Sequence, residues 1–475
     1  MSPKDSAIPL WIDNSPVHTT TTFQVIQASS HSTIHYASSA SASDATHTAS
    51  SGQKAFQSWR NSLHTTRRDL ILHVADYYAS HEDEFVQSQI AETSCTQAWA
   101  TQNVKGSISY LREIAAQISG IAGTIPPTEK PNTLGFVFRE PVGVILCIAP
   151  WNAALILATR GIASAIAVGC TVVFKASEKC PGTHSLITKA FSECGAPAGV
   201  LNQVQCRRED AGNLTETLIA HDAIRKVEFI GSAAVGRVIG QVAAKYLKPI
   251  VLELGGKCPA LVLDDADLQE AAKQCALGAV LNHGQICFST ERISVLESVA
   301  QEFAELLVQE MRALGEKGVQ GGAVSREIME NAVDVVRDAE GKCEKMLLGG
   351  RDDRKEGVSI GPAVILNPRK DSRIFDEETF GPSVSLHTVN DEEAAIELAN
   401  KSDYGLNATV WTKDMRRFMK IARQLEYGQV HANTVSVYTS PTGSQGGVKG
   451  SGFGRMNGKW GLEEFVVEKF VTWCG

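Results

Sequence analysis

Short apolar runs alternate with longer segments of helical spacing over most of the 475 residues. From Asp69 to Ile118, apolar residues recur at helical intervals, as in DLILHVADYYASHEDEF and AWATQNVKGSISYLREIAAQI, which predicts packed helices. Thr133 to Arg139 (TLGFVFR) alternates and predicts a strand, punctuated by Pro141. Beyond it, VGVILCIA, TVVFKA, VEFI, PIVLEL and PALVLDD predict buried strands, with helices over ALILATRGIASAIA and AVGRVIGQVAAKYL between them. Such alternation predicts a doubly wound α/β architecture. A second α/β region runs from about Asp264 through ISVLES, FAELLVQEMRAL, AVILN and GLNATVWT. The closing GLEEFVVEKFVTW predicts a strand whose aromatic content suits an interface. Residues 18–51, rich in Ser, Thr, Ala and His, predict irregular or edge structure, with His31 and His35 solvated and not metal-bound.

Length changes this picture only by requiring two or three packed units. Net charge is −8, from 45 basic and 53 acidic residues, which argues against nucleic acid as a partner. The eleven cysteines are scattered without a C-x-x-C pair, which predicts reduced thiols and a cytoplasmic home. MSPKDSAIPLWIDNSP lacks the apolar run of a signal peptide. Residues 142–174 are apolar enough to suggest a membrane span, but Pro150, Asn152 and Arg160 interrupt them. A buried strand, loop, helix and strand explain that stretch better, so no membrane partner is expected.

Phe229 to Gly236 (FIGSAAVG) reads as a strand end, a Gly-Ser turn and a helix start, which offers free N–H groups to a pyrophosphate. Gly231 and Gly236 also have phosphate-loop spacing, but Arg237 and Val238 replace the required Lys and hydroxyl. A plain glycine turn remains the alternative. Lys175 and Glu178 follow the strand TVVF, where open sheets bind ligands; a carboxylate there suits a ribose diol, and a solvated turn is the competing reading. Cys287, in LNHGQICFSTERISV, follows the helix-breaking Gly284 and Gln285 and is a candidate nucleophile, against the commoner fate of a buried inert thiol. Glu253, embedded in the apolar PIVLELGGK, is a candidate base if unpaired, or a structural carboxylate if paired, with Lys257 the nearest cation. Asn152 at the end of VGVILCIA is either an oxyanion donor or a turn residue.

Taken together, these motifs resemble the aldehyde dehydrogenase superfamily along nearly the whole chain. The resemblance rests on Pro150–Asn152 (P-W-N), Lys175–Glu178, Phe229–Gly236, Glu253–Lys257 (E-L-G-G-K), Gly284–Cys287 (G-Q-x-C), Glu377–Pro382 and Gly446–Arg455, in order. It implies that Cys287 attacks an aldehyde, that Asn152 and the Cys287 N–H hold the oxyanion, and that Glu253 activates the water which releases the acid. It also implies a bound NAD, with NADP as an alternative, touching Trp151, Lys175, Glu178, Gly231, Ser232, Leu254, Glu378 and Phe380. The implied architecture is a Rossmann-type NAD-binding domain (1–119 and 142–253), an α/β catalytic domain (254–445) and a bridging β element (120–141 and 446–475) that builds a homodimer or homotetramer. A non-catalytic protein of the same fold is the competing class.

The K-A-S-E form of the second motif, with AETSCTQAWATQNV and GQICFSTERI, resembles the salicylaldehyde and vanillin dehydrogenase branch. That branch also carries an arginine at the place of Arg160. The resemblance implies an aromatic or bulky apolar aldehyde, with Arg160 and Phe288 as candidate substrate contacts. For Arg160 the competing reading is a residue satisfying buried carbonyls. Cys258 after E-L-G-G-K and Ser444–Gln445 before Gly446 depart from the family pattern, where small residues and a Pro-aromatic pair are usual.

Overall fold

The computed structural model describes residues 7–349 and 357–475. The opening residues of the segment expected to lack a signal peptide lie outside them.

The buried apolar runs assemble into two large sheets. In the first, Ile250–Glu253, Ile224–Ile230, Val144–Ile148, Thr171–Lys175 and Leu201–Val204 lie side by side and parallel. Gly452–Phe453 closes one edge antiparallel, and Leu10–Ile12 with Ser15–Val17 closes the other. The strand Val144–Ile148 is buried along its whole length, as are its neighbours Thr171–Lys175 and Leu201–Val204. This is why Val144–Ile148 and most of Thr171–Lys175 are apolar and do not alternate, while the buried Asn202 and Gln203 of Leu201–Val204 are hydrogen-bonded. From Val144–Ile148 the chain winds outwards one way through Thr171–Lys175 and Leu201–Val204, and later the other way through Ile224–Ile230 and Ile250–Glu253. The crevice beyond the carboxyl ends of Val144–Ile148 and Ile224–Ile230 is therefore the topological switch point, where open α/β sheets bind ligands.

The second sheet has the order Cys343–Leu348, Ala363–Pro368, Ser383–Val389, Thr290–Leu296, Cys258–Val262, Asn407–Trp411, Gln429–Ala432, all parallel except its first pair. Glycines 255 and 256 carry the chain from the first sheet straight into the second. Thr133–Pro141 pairs antiparallel with Val466–Cys474 in a separate ribbon.

The expected α/β architecture is the one observed, with three local corrections. Residues 18–51 are not irregular: Thr22–Ile26 and Thr33–Ser38 form a hairpin, and a helix spans Ala42–Trp59. That helix starts at a capping box, Ser41 with Asp44, and buries a face of small residues, including Ala45, Ala49 and Gly52. His35 is not simply solvated, since its Nε2 lies 2.8 Å from the buried Glu92 carboxylate. GLEEFVVEKFVTW is not one strand, because Gly461–Glu463 end a short helix before Val466–Cys474 begins. The apolar stretch after Val144 is a buried strand and the 14-residue helix Ala154–Ala167; among the described residues no helix is long and apolar enough to cross a membrane.

Candidate active site

The residues singled out from the sequence gather where the two sheets meet. Pro150–Asn152 follow the strand Val144–Ile148, and Gly231–Ser232 follow Ile224–Ile230, so both motifs border the switch point. Ser232 caps the helix Ala233–Lys245 by accepting from the Val235 N–H. A Cβ on Gly231 would come within 2.5 Å of the Phe229 ring, and one on Gly236 within 2.4 Å of Leu254. Only bare backbone at these places lets the helix N-terminus sit this close to the sheet.

Trp151 and Phe380 meet edge to face, their ring centroids 5.9 Å apart. The loop carrying Glu378 and Phe380 is tied down by Glu291, which accepts from the Thr379 and Phe380 N–H groups. Glu291 in turn pairs with the buried Lys257 at 2.7 Å, and Lys257 also donates to the Glu377 carbonyl. The Gly255–Gly256 turn wraps the Glu378 carboxyl, with the Gly256 N–H donating to it at 3.0 Å. Burial and the charge of Glu291 push the Glu378 carboxyl up to about 8, against the opposing Gly256 N–H and Lys257. Lys175 is buried at its strand end, and Glu178 is partly exposed just beyond.

Cys287 lies in the loop between the helix Leu268–Val280 and the strand Thr290–Leu296. Asn282, His283 and Gly284 all take left-handed backbone there, so the chain reverses sharply before the thiol. Asn152 Nδ2 donates to the Gln285 carbonyl at 3.0 Å, and the Asn152 carbonyl accepts from both Trp99 Nε1 and Asn282 Nδ2, each at 3.0 Å. The amide is thus locked to the loop that carries the cysteine. Although Cys287 keeps some exposed surface, its thiol is enclosed. Burial, followed by the negative charges of Glu253 and Glu378, holds it well above the ordinary thiol range, and Arg160 opposes them. The Cys258 thiol points at the Cys287 carbonyl, 3.3 Å away.

Glu253 is 1% exposed and, of the two readings left open for it, is a paired carboxylate, though not paired with Lys257. Its Oε2 accepts from Arg160 Nη2 at 3.0 Å and from Gln445 Nε2 at 2.9 Å. Oε1 has no hydrogen-bond partner among the described residues. Lys257 is not the partner, because the glycine turn carries it into the second sheet, onto Glu291. Arg160, 2% exposed on the helix Ala154–Ala167, donates to no main-chain carbonyl among the described residues; besides Glu253 it reaches Met456 Sδ and the side-chain amide oxygen of Asn457. Phe288 is buried in the core beneath the loop.

Trp99, Asn282, Gln285, Glu291 and Gln445 also build the site, and sequence reasoning assigned them no role. Gln445 stood out only as a departure from a pattern and Gln285 only as a helix breaker before Cys287; Trp99, Asn282 and Glu291 meet Asn152, Asn152 and Thr379 across 53, 130 and 88 positions, which no local pattern joins.

The doubly wound sheet, with its crevice at the switch point, is the fold of a dinucleotide-dependent oxidoreductase. The chain belongs to the aldehyde dehydrogenase family, whose model matches residues 11–471. It is 38% identical to a salicylaldehyde dehydrogenase of Pseudomonas putida, over 97% of this chain and 96% of the relative. A vanillin dehydrogenase of Pseudomonas fluorescens is 37% identical, over 90% of this chain and 89% of that one. Among solved structures, a salicylaldehyde dehydrogenase from Pseudomonas putida G7 complexed with salicylaldehyde superposes with a TM-score of 0.95 at 36% identity, covering 98% of each chain. A betaine aldehyde dehydrogenase from Staphylococcus aureus in complex with NAD+ gives 0.93 at 29% identity, covering 99% of this chain and 95% of that one.

Proposed function

We propose that this protein oxidises an aromatic or similarly bulky apolar aldehyde to its carboxylic acid with NAD. The observation that carries the reading is the Asn152 amide, locked onto the main chain of the Cys287 loop while the Glu253 charge is felt at the thiol. NAD is the group the crevice fits: a capped helix N-terminus approached by bare glycine, an enclosed Glu378 carboxyl for a ribose, and the Trp151–Phe380 edge. When bound, it supplies the hydride acceptor. Lys175 and Glu178 are assigned to the adenosine ribose, where a carboxylate favours NAD over the phosphorylated NADP. Trp151 and Leu254 flank the nicotinamide side.

In this reading the Cys287 thiol gives its proton to solvent as the aldehyde binds. The thiolate then adds to the carbonyl, and the Asn152 side-chain amide and the Cys287 N–H receive the developing oxyanion. After oxidation the acyl group remains on sulfur as a thioester. Glu253 takes a proton from water through Oε1, and the hydroxide releases the acid. The aromatic preference draws on the salicylaldehyde and vanillin relatives, and Arg160 and Phe288 are assigned to the substrate side.

The ribbon formed by Thr133–Pro141 and Val466–Cys474 exposes Phe138, Phe470 and Trp473, which fits assembly into a homodimer or homotetramer. Eleven unpaired cysteines fit a reducing, cytoplasmic setting. The test is NADH formation over a panel containing salicylaldehyde, vanillin and a short aliphatic aldehyde, with Cys287→Ala and Glu253→Gln alongside. Turnover by the wild type and loss in both variants is expected. A fully active Cys287→Ala protein would overturn the mechanism.

A further inference from the structure

Gln445 stands where the family often carries an aromatic residue, yet its side chain is buried (1% exposed) and hydrogen-bonded through both its oxygen and its nitrogen. Its backbone is fixed by two reciprocal hydrogen bonds with Met456, at 3.0 and 2.7 Å. Its Oε1 accepts from Thr439 Oγ1 at 2.5 Å and from Asn457 Nδ2 at 3.0 Å. Asn457 is oriented in turn, because Nδ2 also donates to the Ser440 carbonyl and Oδ1 accepts from Arg160 Nη1. With both amides so constrained, only one orientation of Gln445 satisfies the network, and it aims Nε2 at Glu253.

Two donors from different elements therefore converge on one oxygen of Glu253. Arg160 comes from the helix Ala154–Ala167, and Gln445 from the loop before Gly446–Gly447. A single donor leaves a carboxylate free to swing about the bond it accepts. A second donor from another direction fixes the plane and leaves Oε1 as the oxygen without a partner.

We propose that Gln445 is a positioning residue for Glu253, holding the carboxylate by Oε2 so that Oε1 is presented as the base in acyl release. The inference rests on the general-base role of Glu253 given above. It gives Gln445 a role in the release step, exerted through Glu253.

The groups whose charges bear on Glu253 are Arg160, Cys287, Tyr110 and Glu228, on four separate elements. Gln445→Met keeps the length of the side chain and leaves all four in place while removing the donor. A hydrogen bond to a charged acceptor corresponds to about one pH unit in the acceptor's titration. The experiment loads the NAD-bound protein with salicylaldehyde in a single turnover, quenches it, and follows acyl-Cys287 by mass spectrometry across pH.

Acyl-Cys287 is expected to form at the wild-type rate in Gln445→Met. The acidic limb of its decay profile is expected to move upwards by about one pH unit, so that decay on that limb slows about 10-fold. Gln445→Glu, which places a second carboxylate against the first, is expected to displace that limb further. Thr439→Val, which frees one side of the Gln445 amide, is expected to displace it less and provides the same readout if the Met variant does not fold. Decay with the wild-type rate and pH profile in Gln445→Met, or lowered thermal stability with an unmoved limb, overturns the proposal. Absence of NADH and of acyl-Cys287 in the wild type removes the underlying reading instead, so the two failures are told apart.

Discussion

Replacing Arg160 by Met tests how much of this centre depends on one buried ion pair. The guanidinium and the Glu253 carboxylate are 3.0 Å apart, and their side chains are 2% and 1% exposed. At an effective dielectric of about 20, unit charges at that separation attract by roughly 5 kcal/mol. This is an upper value, because Gln445 continues to donate to the carboxylate and Glu253 can take up a proton once the cation is gone. Breaking a buried pair from one side generally costs about 3–5 kcal/mol, since the remaining charge is stranded. Arg160→Met fills nearly the same space without charge and is expected to fall within that range. Glu253→Gln, which strands the guanidinium, is expected to cost a comparable amount.

The double variant removes both charges together, so its cost should fall short of the two single losses added together by about 2–3 kcal/mol. Urea unfolding at fixed protein concentration measures all four corners of the cycle, the concentration being held because an oligomer's stability depends on it. If the two single losses add to within about 0.5 kcal/mol in the double variant, the charges are not coupled and Arg160 acts through packing alone. That result would also remove the reason for treating the Glu253 environment as an ionic one.

Three further outcomes follow from the same geometry. The Cys287 thiol, held high by burial and by Glu253, is expected to react slowly with iodoacetamide at neutral pH, and Glu253→Gln to react faster because one opposing negative charge is gone; unchanged or slower labelling contradicts the charge argument. Glu378, pushed up to about 8 from an ordinary 4.5, keeps a proton in the folded state that the unfolded chain releases. Its stabilising contribution is present below the unfolded value and is lost as pH rises through about 8, so the wild-type melting temperature should fall relative to Glu378→Gln between about pH 6 and pH 9. Gly284→Ala puts a Cβ 2.2 Å from the Gly381 carbonyl at a φ of +70°, which should cost about 2–4 kcal/mol and displace the Cys287 loop; wild-type melting and NADH formation in that variant would show that the turn tolerates a side chain.

The architecture was legible in the sequence where local pattern and burial agree. Val144–Ile148 and Thr171–Lys175 are apolar because both faces are covered, and a reader of the sequence meets the same fact as an uninterrupted run. The helix Ala42–Trp59 was not legible for the opposite reason. It packs through small residues, with the Gly52 carbonyl accepting from the Thr171 hydroxyl, and small polar residues leave no apolar stripe to count. The cysteine, the amide and the carboxylate were visible as residues in motifs; what joins them was not.

Glu253 shows why. Lys257 stands four positions on, and along a continuous strand that cation would be the natural partner. Gly255 and Gly256 instead turn the chain from one sheet into the other, so Lys257 holds Glu291 and, through it, the Phe380 loop. The partners Glu253 does have, Arg160 and Gln445, lie 93 positions before it and 192 after it. A charge in an apolar run announces that a partner exists, because a stranded carboxylate is too costly to bury. Which partner answers depends on where the turns send the chain. Here two glycines decide it: they free Glu253 from the nearest lysine and leave its orientation to an arginine and an amide from elements that meet only in the folded molecule.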